Sequence, residues 1–100
     1  MTAHDQLSVD EAQKLSEQII ALDGVADLSG GRFGEVALYY PRARVRGLRQ
    51  TSGENPRFEV HVVADLSRKP NLHDVAEKVR AVAAAAQPLP VDVTIADGQG

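Results

Sequence analysis

Residues 57–65 read Arg57-Phe58-Glu59-Val60-His61-Val62-Val63-Ala64-Asp65. In an extended chain Phe58, Val60, Val62 and Ala64 fall on one side, and Glu59, His61 and Val63 on the other. An apolar side opposite a mixed one is the mark of a central strand with one face packed under helices. The rest of the fold follows from what flanks this strand.

On its C-terminal side, Pro70-Asn71 opens a helix. Asn71 is the N-cap, and Asp74 lies in the first turn, where the helix dipole favours a negative charge. Leu72, Val75, Ala76, Val79, Val82, Ala83 and Ala86 form its apolar stripe. The run Ala83–Ala86 favours helix and permits close approach to a sheet. Pro88 and Pro90 end the element. Val91, Val93 and Ile95 then alternate with Asp92 and Thr94 in a last strand, and residues 97–100 read as a polar tail.

On its N-terminal side, the run Thr51–Pro56 is a strong turn signal. Val45–Gln50 reads as a short strand. Glu35–Tyr40 alternates, with Val36, Leu38 and Tyr40 on one face; Pro41 cannot donate to a ladder and ends it or lies on an edge. Val25–Ser29 is a further short strand. Residues 9–22 read as a helix, with Ser8 and Glu11 as a capping box and Leu7 with Ala12 at staple positions. Ala12, Leu15, Ile19 and Leu22 form its stripe, and Gly24 stops it. The expected order is α-β-β-β-β-α-β: an α+β two-layer sandwich with both helices on one face of a mainly antiparallel sheet. Phe58–Ala96 is expected to be a right-handed parallel strand–helix–strand crossover, unless the last strand pairs antiparallel with another neighbour. Residues 1–100 form one domain, with an ordered core of about 8–97.

Composition narrows the function. There is no Cys, which excludes disulfides, thiolate chemistry and Cys-based zinc sites. No apolar run approaches the roughly 20 residues of a membrane span, and residues 1–13 carry no signal-peptide pattern. These features point to a cytoplasmic protein. The net charge of −3 is unevenly spread. Residues 1–30 hold six acids and one base, net −5; residues 31–57 hold six arginines and two acids, net +4. Such polarity marks a polyanion face or an assembly surface, and equally occurs on plain solvated surface.

Two stretches are candidate sites. In Ser29-Gly30-Gly31-Arg32-Phe33-Gly34, the run Gly31–Gly34 matches the GxxG of nucleic-acid-clamping KH loops, but those join helices. Neither a dinucleotide fingerprint nor a P-loop is present. Strand-like neighbours make it a glycine-rich hairpin loop. In the second, Arg42, Arg44 and Arg46 recur at period two, with Arg49 nearby and Tyr39 and Tyr40 adjacent. Together with Arg32 and Tyr39 they make a candidate partner or polyanion surface. A protein interface or an edge guard is favoured over nucleic acid, because the sequence pI is near 5.5. His4, His61 and His73 lack metal-ligand spacing. No local Ser, His and acid cluster suggests a nucleophile. The expectation is a non-enzyme with no catalytic residues, no cofactor and no metal.

The ordered landmarks Leu22–Gly31, Arg44–Leu48, Phe58–Leu66, Asn71–Ala86 and Pro90–Asp97 resemble the alkaline shock protein 23 family of bacterial envelope stress response proteins. The resemblance covers about residues 9–97 and rests on order and spacing rather than on one motif; the chain looks like a compact member of actinobacterial type. It departs from the family in Ser67–Asn71, in Gln87–Pro90 and in the Arg-rich stretch before Val45. The resemblance implies a non-enzymatic cytoplasmic protein of the envelope stress response. It also implies self-association, or docking to a membrane-anchored partner at the inner face of the membrane. The alternative is a nucleic-acid-binding α+β domain using Gly30–Gly34 and Arg42–Arg49.

Overall fold

A computed structural model describes residues 7–99. At its centre is the strand that the alternation marks, here β5 (Phe58–Asp65), with every second residue buried. Two short strands, β1 (Val25–Leu28) and β4 (Leu48–Gln50), pair with it antiparallel, with Leu28 opposite Val62 and Leu48 opposite Val60. Both lie on the same edge of β5. His61 occupies the junction: its N–H donates to the Gly47 carbonyl (2.9 Å) and its carbonyl accepts from the Ser29 N–H (2.8 Å). The opposite edge is taken by β6 (Val91–Gln99), parallel to β5 along its full length.

The helices are α1 (Val9–Ile20) and α2 (Leu72–Ala86). Ser8 and Glu11 form the capping box, with the Glu11 N–H donating to Ser8 Oγ (3.1 Å) and the Ser8 N–H to the Glu11 carboxylate (2.9 Å). Asn71 Oδ1 accepts from the N–H groups of His73 and Asp74. Ala12, Leu15 and Ile19 of α1 and Val75, Val79 and Ala83 of α2 share one core with Phe58, Val60 and Val62. Both helices therefore cover one face of the sheet, and the α+β class and the layer order are as expected. Among the described residues no helix is long and apolar enough to cross a membrane.

The strand count differs: five strands, not four, stand between the helices. Val45–Gln50 is not one strand. Gly47, at φ +89°, breaks it into the end of β3 (Ala43–Arg46) and β4. β3 pairs with β2 (Ala37–Tyr40) in a separate two-stranded sheet, through a tight turn at Pro41-Arg42. Pro41 thus sits in a hairpin turn, where its fixed φ is an asset and its missing N–H costs nothing. The Gly30–Gly34 loop is not a hairpin loop, because β1 and β2, which it connects, do not pair with each other. It closes on itself through Val36 N–H to Gly30 O (2.9 Å) and carries the chain from one sheet to the other. α1 ends at Ile20 rather than Leu22, with Gly24 in the following turn at φ +90°. The expected polar tail is strand: Asp97, Gly98 and Gln99 pair with Val63, Ala64 and Asp65, because β5 extends that far.

Candidate docking surface

The β2–β3 hairpin presents the residues that the sequence singles out. Leu38 and Val45 face each other across it and are buried in the core. The pleat then sends Tyr39 and Arg44, a directly opposed pair, to the outer face, with Arg46 beside them. Arg42 is exposed at the turn. The hairpin is tied down at its turn end, where the Tyr40 hydroxyl donates to the Leu7 carbonyl (2.6 Å) at the entrance to α1.

The glycine loop adjoins this face. Tyr39 Oη donates to the Gly34 carbonyl across 3.5 Å. The loop is shaped by its own polar groups: Gly31 N–H donates to Ser29 Oγ, and Phe33 N–H to the Glu35 carboxylate (2.9 Å). The Glu35 carboxyl is held below the usual carboxylate value, first by its own backbone N–H and then by that of Phe33. This arrangement lifts Phe33 into solvent, 86% exposed, beside Arg32; Tyr39 is 59% exposed. Phe33 is the residue that a reading centred on arginines misses, and the signal for it was an aromatic side chain between glycines.

Of the six residues expected to form the surface, Tyr39, Arg44 and Arg46 share the hairpin's outer face, Arg42 sits at its turn and Arg32 in the glycine loop. Period two does not carry all three hairpin arginines to one strand face, since Arg42 belongs to the turn. Arg49 is elsewhere. The left-handed backbone at Gly47 resets the alternation and delivers Arg49 to the helix-free face of the main sheet. There it bonds Glu59 (2.6 and 2.9 Å), whose carboxylate also lies 3.8 Å from His61 Nε2.

The ionic state of these arginines sorts them. Arg46 bridges Asp27 (3.0 Å), Arg49 bridges Glu59, Arg57 takes Asp92 with two hydrogen bonds (2.5 and 2.8 Å), and Arg80 pairs with Glu77. Arg32, Arg42 and Arg44 have no carboxylate partner among the described residues. Exposed guanidinium groups and exposed aromatic rings of this kind can bind carboxylates or phosphates and cover them with apolar contact. Among the described residues no group of three His, Cys, Asp or Glu side chains is placed to hold a metal ion; His4 lies outside the described residues. Comparison of the chain with protein-family models, with curated proteins and with solved structures found no match.

Proposed function

We propose that this chain is a non-enzymatic binding or scaffolding protein that docks an acidic protein surface, through the outer face of the β2–β3 hairpin and the neighbouring glycine loop. The observation that carries this reading is that Arg32, Arg42 and Arg44 have no carboxylate partner among the described residues, on a hairpin and loop that also expose Phe33 and Tyr39. The resemblance of the ordered landmarks to the alkaline shock protein 23 family supports a place in the bacterial envelope stress response. In that setting the partner is a membrane-anchored protein at the inner face of the membrane, or a second copy of the chain.

The test is triple charge reversal, Arg32→Glu, Arg42→Glu and Arg44→Glu, followed by in-cell crosslinking, mass spectrometry and light scattering. Loss of the captured partner, or a fall in assembly mass, is expected. Capture and mass equal to those of the parent protein would sink the reading.

The exposed rings of Phe33 and Tyr39 favour one second reading, a single-stranded nucleic acid stacked on aromatic side chains. Filter binding across a salt series separates the two, since phosphate contacts must weaken steeply as salt rises.

A further inference from the structure

β6 ends the main sheet on one side: among the described residues its only strand partner is β5. The Phe58 N–H donates to the Pro90 carbonyl (2.8 Å), which fixes the phase of the parallel ladder. Successive residues then alternate between facing β5 and facing away from it. Asp92 and Thr94 direct their backbone groups at β5, and Val91, Val93 and Ile95 direct theirs outward. The Val91 carbonyl accepts from Arg80 Nε of α2 (3.4 Å). Among the described residues nothing bonds the outward N–H and C=O groups of Val93 and Ile95.

Folded proteins guard such an edge with Lys, Pro or a bulge. Val91–Ile95 contains neither Lys nor Pro. Its single charged side chain, Asp92, is held by Arg57 (2.5 and 2.8 Å). The irregularity in the ladder comes only afterwards, where Ala96 is the extra residue between the pairs Val62–Ile95 and Val63–Asp97. The segment before it is regular, uncharged toward solvent and open.

We infer that this edge pairs with the same edge of a second copy, antiparallel about a two-fold axis at Thr94, so that two four-stranded sheets become one. A register centred on Val93 would need the Val91 carbonyl, which Arg80 occupies, and one centred on Ile95 would need residue 97, past the extra residue. Centred on Thr94, Val93 and Ile95 of the second copy exchange both main-chain bonds, and symmetry repeats the exchange. The side chains agree with that axis. On the helix side the half-buried Val93 and Ile95 stand opposite each other, and on the open face the exposed Thr94 meets its own copy. α2 is the helix that packs closest to β6, and its Arg80, bound to Glu77, borders the seam. The axis presents this pair to its copy in reverse order, acid toward base. This self-match selects a second copy as the occupant, and isologous pairing closes the assembly at two chains. The surface is separate from the arginine-bearing hairpin.

Thr94→Cys supplies the probe, because the chain has no other cysteine. On the axis two such residues form a non-hydrogen-bonded pair with Cα atoms about 4.5 Å apart, within the span of a disulfide. Oxidised glutathione is expected to convert Thr94→Cys to a linked dimer of twice the 10.7 kDa chain mass on non-reducing electrophoresis. Ala96→Cys, offset along the strand from its own copy, is expected to stay single. Sedimentation equilibrium over a concentration series is expected to show the parent chain dimerising. Thr94→Lys sets two ammonium groups together on the axis at an exposed position. It should raise the dissociation constant at least about tenfold, with an unchanged circular dichroism spectrum. A parent chain that is monomeric throughout, no linked dimer of Thr94→Cys, equal linking of Ala96→Cys, or undiminished dimerisation of folded Thr94→Lys overturns the inference. If reversal of Arg32, Arg42 and Arg44 dissociates the chain and Thr94→Lys does not, the interface lies on the hairpin; this inference then falls and the arginine reading stands.

Discussion

Gly47 lies against Leu28 with no space for a side chain between them: a Cβ on Gly47 would stand 2.6 Å from the Leu28 Cβ. The same residue has φ +89°. Gly47→Ala therefore carries two penalties, left-handed backbone strain on the order of 1–3 kcal/mol and overpacking of about 1–3 kcal/mol. Gly53 isolates the first: it has φ +106°, and a Cβ there would meet nothing within 4 Å. Thermal unfolding should show Gly47→Ala lowering Tm more than Gly53→Ala. Equal losses would mean that the contact with Leu28 contributes nothing.

A second prediction concerns the exit from α2. Gln87 is buried, and its side chain closes the turn: Oε1 accepts from Leu89 N–H (2.8 Å) and Nε2 donates to Leu89 O (2.9 Å). Gln87→Leu keeps the volume and strands both backbone groups. It should cost about 1–3 kcal/mol, read as a lower urea midpoint with an unchanged slope.

Acid should destabilise the fold through three carboxylates. Asp92 is held below 3.8 by the hydrogen bonds from Arg57. Glu11 is held below 4.5 by the Ser8 backbone N–H and hydroxyl, and Glu35 below 4.5 by its own N–H and that of Phe33. Each folded value lies below the unfolded one, so each contribution is complete above the unfolded pKa and is lost as pH falls through the folded one. Tm should hold down to about pH 5 and decline below it. The double variant Glu11→Gln, Asp92→Asn should decline less steeply; an unchanged slope would remove these groups from the explanation.

The docking surface should be separable from stability. Phe33→Ser removes a ring that is almost fully solvated, so unfolding free energy should move by no more than about 0.5 kcal/mol. Partner capture in crosslinking should fall all the same. A large fall in Tm would instead make Phe33 a structural residue.

Much of this fold is legible in the residues because burial imposes period. β5 alternates since one face lies under two helices, and α2 shows its stripe since only that side meets the sheet. The helix starts at Ser8 and Asn71 are equally readable, because a cap satisfies free N–H groups with side chains present in the sequence. What escapes is set by single backbone angles. Nothing in Arg44-Val45-Arg46-Gly47-Leu48-Arg49 tells that Gly47 turns left-handed, so Arg44 and Arg46 part from Arg49 without notice. Pro41 marks the end of β2 in the sequence, but that the chain turns straight back there to pair as β3 is not announced by the residues. Asp97–Gln99 looks like tail because it is polar, yet it is strand because β5 offers it an edge. The exposure of Phe33 depends on the Glu35 carboxylate holding the loop, a contact that composition does not announce.

The junction at His61 has a consequence for how the chain assembles. Along this edge of β5, β1 and β4 are two halves of a single rail, interrupted by residues 30–46. The β4–β5 half closes locally, across the Thr51–Arg57 turn, where the Thr51 N–H meets the Arg57 carbonyl at 2.9 Å. The β1 half must be brought back over a far longer loop, which chain entropy delays. By loop length, the β4–β5 pairing is the less costly of the two to close and the β1–β5 pairing the more costly. The hairpin and glycine loop are a detour between two fixed anchor points. Changes at its exposed positions, Arg32 and Phe33 above all, leave the rail and the buried Val36, Leu38 and Val45 in place, which makes them the part of the detour most open to change of partner.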